Sequence, residues 1–442
     1  MNKDKTIEEQ LKLTIEKIES EINKVYLLID KGIIRMVIAT VLGNRLGLSD
    51  KPIWLLILAG SSSGKGAIMS ILDQVGPWLV SIDTLTTNTF ASGLKRDEEV
   101  SLLYKVNNGV LIFKDFTTLT AMNEEGLREI MGQLRMIYDG EFTKRTGNDN
   151  DVVWRGKVGI IAGGTIASQR KMRQFSEQGE RFINYIINVA DAKEMTRRAM
   201  DNQKDMKEKI DYLAEIVGKF INDKLLTVNK NELIIPEDIR EAMIDVADFA
   251  TRARSPVTMS KKDPTMVEFV GDREMPPRVA MMLANLAIAL MVICDEKELS
   301  PLNAKIIYKT AIDSVPVERR IVLSLLAKYK NATTKALATQ LNYPTMTIRA
   351  WCNQLNALKM INRESGGSSD TWTLRKEYKE TMIKYENIEE VDEQLEEADD
   401  GYEVENAYVS AQDLDEDELL SKVKFDLLDE EFPDPPPEQL EF

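Results

Sequence analysis

A chain of 442 residues is long enough for roughly two or three domains. Its 43% hydrophobic and 29% charged content excludes a fibrous or wholly disordered chain. It holds no histidine and two distant cysteines, Cys294 and Cys352, which excludes histidine-based acid–base chemistry, histidine metal sites and a disulfide framework. The net charge of −16 is concentrated at one end: residues 385–442 carry 23 acidic residues against two lysines, and residues 1–384 are left at +5.

Residues 1–47 form an N-terminal helical segment, with Ile7, Leu11, Ile15, Ile18 and Ile22 at helical spacing. Its start is too charged for a secretory leader. Residues 48–190 alternate short apolar runs (IWLLILA, WLVSID, GVLIFKDF, KVGIIAGGT, RFINYIINVA) with helical stretches, the pattern of parallel strands buried on both faces in a three-layer α/β core. Residues 191–310 read as helices throughout. The longest apolar run, 279–294, contains Asn285 and is shorter than the ~17–25 residues of a membrane helix, so it is expected to be a buried core helix. No membrane association and a reducing cytoplasm, the host's if the chain is phage-encoded, are the corresponding expectations.

Residues 311–382 hold three helical patterns followed by a Gly-Ser turn and strand residues, a winged helix-turn-helix pattern. Thr333 or Thr334 is expected to cap a short helix, and Pro344 to precede the next. That second helix offers Thr345, Thr347, Arg349 and Asn353 to base edges in a major groove, with Ile348, Trp351, Leu355 and Leu358 on its apolar face. Arg363, in the wing, would meet phosphates. Residues 317–380 carry 11 Lys/Arg against five Asp/Glu, as a phosphate-facing surface requires. Winged helices also dock proteins. Residues 383–442 form an acidic segment too poor in apolar residues to fold alone, expected to be a disordered tail. It could solubilise the chain, recruit a protein partner, or fold back and restrain DNA binding.

The chemistry-bearing stretch is PIWLLILAGSSSGKGAIMSIL, residues 52–72: strand, small-residue turn, Gly64-Lys65, helix. Amides of such a turn cradle phosphate oxygens and the lysine adds charge, which nominates Gly60, Ser61, Ser62, Ser63, Gly64, Lys65 and Gly66 for a nucleotide. Asp115 ends the next buried strand pattern, where a Mg²⁺-directed carboxylate belongs. Thr165 follows KVGIIAGG and Arg181 precedes another apolar run.

The order of these parts resembles the AAA+ ATPases, especially the MCM-like branch of replicative helicases and a group of phage and mobile-element proteins with the same layout. The resemblance covers roughly residues 45–375. It places Lys65 in Walker A, Asp115 in Walker B, Thr165 at sensor 1, Arg181 at an arginine finger acting on a neighbouring subunit, and Arg278 at sensor 2. It implies ATP and Mg²⁺, a hexameric or similar homo-oligomeric ring, DNA as partner, and a replication helicase or initiator-type ATPase. The alternatives are a non-motor ATP switch such as a helicase loader, and a DNA-binding transcription or defence regulator with weak ATPase activity.

Two departures stand out. Gly66 removes the hydroxyl that normally holds Mg²⁺, a role Ser61 or Ser63 could take through water. Phe116 replaces the glutamate that polarises the attacking water. Glu124, Glu125, Asp139 and Glu141 are the nearby carboxylates in sequence. Between the Asp115 and Thr165 strands, LRMIYDGEFTKRTGN is expected to form a hairpin, with Lys144 and Arg145, beside Gly147, available to DNA phosphates.

Overall fold

The computed structural model describes residues 13–26, 30–60, 63–90, 102–144, 152–173, 180–187, 192–229, 232–366, 369–386, 388–395, 419, 420 and 422 of the chain. Ile7, Leu11, Ser61, Ser62, Arg145, Gly147 and most of the acidic segment lie outside these residues.

Two helices open the fold, α1 (Ile15–Val25) and α2 (Gly32–Arg45). Thr14 caps α1 by accepting the Lys17 amide, and Ile15, Ile18 and Ile22 are its buried face. Nearly every residue of α2 is buried, and Asn44 exchanges hydrogen bonds with both backbone groups of Ile53 at 2.9 Å. The N-terminal helices are thus part of the core. A buried pair, Arg35 with Glu19 at 2.6 Å, ties them together. Burial alone would raise the Glu19 carboxyl, and the net shift is upward despite Arg35.

The central elements are β1 (Trp54–Leu58), α3 (Lys65–Ser70), β2 (Leu79–Ile82), α4 (Leu102–Lys105), β3 (Gly109–Phe113), α5 (Thr117–Thr120), α6 (Glu124–Asp139), the hairpin β4 (Glu141–Lys144) and β5 (Val152–Arg155), β6 (Val158–Gly164), α7 (Ile166–Arg173) and β7 (Ile183–Ile186). Five strands form one parallel sheet in the order β2-β3-β6-β1-β7. Every residue of β1, β3, β6 and β7 is buried, so alternate side chains on both faces are covered, which explains their uninterrupted apolar sequences. In a parallel sheet all C-terminal strand ends lie on one edge, and each connection returns to the other edge before the next strand starts.

The helical region contains α8 (Ala192–Asp201), α9 (Met206–Thr227), α10 (Glu237–Ala253), then a hairpin of β8 (Val257–Met259) and β9 (Val267–Val270), then α11 (Pro277–Ile293) and α12 (Pro301–Asp313). The expectation of helices throughout 191–310 is therefore corrected. The sequence RARSPVTMSKKDPT breaks the helix after Ala253, with Pro256 directly before β8 and Pro264 in the turn that leads to β9. The division at 310/311 also falls inside α12. α11 is a buried core helix, and no helix among the described residues is long and apolar enough to cross a membrane.

The C-terminal module runs α13 (Val317–Lys328), β10 (Tyr329–Thr333), α14 (Thr334–Leu341), α15 (Thr345–Ala357), β11 (Ile361–Gly366), β12 (Ser369–Leu374), α16 (Lys376–Glu386) and β13 (Val391–Leu395). Thr333 caps α14, Asn342 ends it in the left-handed conformation at φ 55°, and Pro344 precedes α15. β11 and β12 form an antiparallel hairpin, and the sheet order is β11-β12-β10-β13. The boundary at 382/383 is corrected as well. Glu386 is buried against Arg320 at 2.6 Å, and β13 completes the small sheet beside β10, because even acidic residues can supply backbone hydrogen bonds to an open edge.

Buried charges fasten this module to the sheet. Asp313 accepts from Lys309 Nζ and Arg320 Nη1, both at 2.5 Å, and from the Ile186 amide of β7 at 2.8 Å. Removing one member would strand the others in a dry interior, at a cost of about 3–5 kcal/mol.

Candidate nucleotide and nucleic-acid sites

Lys65, Asp115 and Thr165 follow β1, β3 and β6, and these three strands are neighbours in the order β3-β6-β1. The sheet thus gathers the three residues on its C-terminal edge. Gly64 adopts φ +83°, a backbone that a side chain would strain, and this turn starts α3. The Lys65 ammonium curls back to donate to the carbonyls of Ala59 at 2.7 Å and Gly60 at 2.6 Å, with Ser63 Oγ at 3.4 Å. Gly66 follows inside the helix, and a Cβ built there meets nothing within 4 Å.

Asp115 is exposed. Its Oδ1 accepts from the Thr117 amide at 2.9 Å and the Thr117 hydroxyl at 2.5 Å, which fixes the carboxylate on the turn beyond β3. The next amide, that of Phe116, donates to Gly163 O at 2.7 Å and locks this turn to β6. The Phe116 ring is fully buried against Phe113 and Phe182, so this position packs the core. Thr165 and Ser168 cap α7 reciprocally, each amide donating to the other's hydroxyl.

The carboxylates near in sequence divide. Asp139 ends α6, and its neighbour Tyr138 packs on Trp54, the first residue of β1. Glu141 pairs with Arg155 on the β4–β5 hairpin. Both therefore belong to the opposite edge from Lys65, which rules them out as bases for a phosphate there. Glu124 and Glu125 start α6 and stay exposed on the Asp115 side. The Lys144 ammonium is held by Thr87 O at 3.2 Å and Asn88 Oδ1 at 3.1 Å.

Arg181 and Arg278 occupy that opposite edge together. Each guanidinium lies 5.8 Å from the centre of the Tyr138 ring. Arg181 reaches toward Asp139 at 3.9 Å, and Arg278 donates to Glu180 O at 3.4 Å. Burial, then Arg278, and more weakly Arg135 push the Arg181 guanidinium below its usual value, while Asp139 opposes them. Burial lifts the Tyr138 hydroxyl to about 12. Within one chain, therefore, neither arginine shares the edge that carries Lys65. Arg135 and Arg254 join the cluster without any sequence signal. Arg135 resembles any solvated helix arginine, and Arg254, clasped by Glu274 at 2.6 Å, is recognisable only from its contacts.

In the C-terminal module the proposed base-contacting residues fare differently. Thr347 is fully buried, and its expected base contact is corrected: it faces the module's interior. Asn353 is spoken for as well, because its Nδ2 donates to Thr265 O of the β8–β9 hairpin at 2.8 Å. Thr345 is partly exposed at the helix start. Arg349 and Arg363 both lean on Asp370, at 4.0 and 2.9 Å. The apolar face is as expected, with Ile348, Trp351, Leu355 and Leu358 buried.

The module is also coupled to the Thr165 edge. Arg170, on α7, approaches Glu318 at 3.8 Å, and Arg173 donates to Ser314 O at 3.2 Å. Arg319 then donates to Ala253 O and Ser255 O at 2.7 Å and to Gln354 Oε1 of α15 at 3.1 Å. Burial lowers the Arg319 guanidinium to about 10.

The fold and site define an α/β protein with a five-stranded parallel sheet, Lys65, Asp115 and Thr165 at one edge and the Arg181–Arg278 cluster at the other. No protein-family model matches the chain, and no curated protein matches it.

Proposed function

We propose that this chain is an ATP-binding protein of the AAA+ type that works as a homo-oligomer on DNA. The observation that carries the reading is the meeting of Lys65, Asp115 and Thr165 on one edge of a sheet ordered β2-β3-β6-β1-β7. A lysine after one strand and a carboxylate and a hydroxyl after its two neighbours are what phosphoryl transfer needs: charge on the phosphates, a metal-directed acid, and a group to orient water. Lys65 and the turn amides at Ser63–Gly66 would hold phosphate oxygens, with the left-handed Gly64 letting backbone approach. Asp115 would direct Mg²⁺, which neutralises developing charge on the phosphates. Arg181 and Arg278, on the far edge, suit a neighbouring subunit's nucleotide, so the site is complete only in an assembly. The helix order α13–α14–α15 with its β11–β12 hairpin supports a winged helix-turn-helix reading of the C-terminal module.

A second reading, a slow ATP switch such as a helicase loader, is favoured by Gly66 and by the buried ring of Phe116. Neither position offers a metal hydroxyl or a base, so binding is retained more easily than turnover. The deciding experiment measures ATP affinity and ATPase turnover of the full chain and of Lys65→Ala, with and without single- and double-stranded DNA. Loss of ATP affinity in the variant is expected; unchanged affinity would remove the site from this edge. DNA-stimulated turnover favours the motor, and tight binding with negligible turnover favours the switch.

A further inference from the structure

The tip of the β8–β9 hairpin rests on α15. Asn353 donates to Thr265 O there, and Asp263, one turn of the tip earlier, carries a carboxyl held below its usual value by Thr265 and, more weakly, by Arg349. Lys261 and Lys262, directly before Asp263, are exposed. Arg349 and Arg363 share Asp370, and each keeps 41% of its side chain exposed. The hairpin tip, α15 and β11 thus bring four cations toward Asp263, Asp370 and the exposed Glu364.

We propose that Lys261, Lys262, Arg349 and Arg363 form one composite surface that binds the phosphate backbone of nucleic acid without reading bases. This rests on the DNA reading above and changes its mode. A major groove about 12 Å wide admits one helix. Here α15 enters no groove, because Thr347 points inward, the Asn353 amide is engaged, and the hairpin lies along the helix. What remains outward is charge, and charge meets phosphates whatever the sequence. The lysines on the tip are added by the helical region, so the surface exists only while the hairpin and the C-terminal module are packed together.

The test uses the full chain, two duplexes of unrelated sequence and one single strand, with fluorescence anisotropy over a range of salt. The variant is Lys261→Glu/Lys262→Glu, on exposed side chains, with thermal melting to verify the fold. Both duplexes are expected to bind the wild type equally. The double variant should lose roughly tenfold in affinity on each, and its log–log salt slope should flatten by about 2. Arg363→Ala should weaken both duplexes alike, and the single strand should show the same dependence. Unchanged affinity and slope in the double variant, beside a wild type that binds, overturns the composite surface alone. So does a preference of the wild type for one duplex that Asn353→Ala abolishes, since α15 would then be reading bases. A wild type that binds no nucleic acid overturns the DNA reading itself.

Discussion

Arg181 and Arg278 face the same aromatic ring, each 5.8 Å from the centre of Tyr138, although one precedes β7 and the other opens α11. Burial, and after it the like charge of Arg278, push the Arg181 guanidinium below its usual value. Asp139, 3.9 Å from Arg181, and Glu274, 3.8 Å from Arg278, offset part of this charge, and a further anion would be accommodated here. A neighbouring subunit's triphosphate is the anion the proposed assembly supplies.

Arg181→Ala should therefore leave ATP affinity of the dilute chain nearly unchanged and lower assembled turnover by about a thousandfold, the usual weight of an arginine acting in trans. Arg278→Ala should act in the same direction. Mixing Lys65→Ala chains with Arg181→Ala chains is the sharper measurement. Partial recovery of turnover is expected, because some mixed interfaces pair an intact Lys65 edge with an intact arginine edge. No recovery at any ratio would place Arg181 outside the reaction.

Gly66 offers a gain-of-function experiment. Nothing lies within 4 Å of a Cβ at this position, so Gly66→Ser adds a hydroxyl without a clash. Serine is also the better helix residue by about 0.5 kcal/mol, and thermal stability should rise slightly. Mg²⁺-dependent ATP affinity should increase while affinity measured in chelator stays constant. Gly64→Ala is the contrast: its backbone at φ +83° costs about 1–2 kcal/mol with any other residue, and ATP binding should fall. If added serine changes neither affinity nor turnover, the metal is not held at the start of α3.

How much of this was legible beforehand depended on range. Thr333 and Pro344 mark their helices through neighbours three residues away, and buried strands betray themselves by unbroken apolar runs such as WLLIL, so those elements could be read directly. Gly64, Lys65, Asp115 and Thr165 stood out because each sits just past such a run. Thr347 lies beside the apolar face of α15 and is buried with it, and Asn353 is engaged by the β8–β9 hairpin, a second contact that the sequence of α15 does not announce. Asp139 and Glu141 are near Asp115 in sequence, but α6 carries the chain to the far edge before they occur. The meeting of Arg181 with Arg278 needed the whole tertiary structure.

The Glu318 carboxyl gives a pH prediction. Burial alone would raise it, but Arg170 and Arg173 outweigh burial and hold it below its ordinary 4.5. A depressed acid stabilises the folded state fully above its unfolded value and ceases to do so as pH falls through the folded one. The packing of α13 on α7 should accordingly weaken only below about pH 4.5. Glu318→Gln should cost about 2 kcal/mol at neutral pH by leaving Arg170 with a neutral partner. It should also flatten the acid limb of stability against pH. A variant as acid-sensitive as the wild type would assign that limb to other groups. Loss of ATP-dependent change in DNA affinity, with ATP binding intact, would show that this contact transmits between the two sites.

Beyond β13 the acidic segment meets the C-terminal module again at one described point. Leu419 is fully buried, and Lys422 donates to Leu341 O and lies 4.1 Å from the centre of the Tyr343 ring, at the turn between α14 and α15. Burying Leu419 contributes roughly 2 kcal/mol and a cation over a ring about 1. Ordering each residue costs about 1–2, so the attachment is marginal and open to competition. Asp413, Asp415, Glu416, Asp417 and Glu418 immediately precede Leu419 in sequence. Leu419→Asp should release the attachment and keep the acid, whereas truncation after Leu395 removes both. If the tail restrains DNA binding from this anchor, both variants should bind duplex several-fold more tightly. If charge alone matters, only truncation should. Weaker binding after truncation would mean that the tail supports the DNA surface instead of screening it, and self-restraint would have to be abandoned.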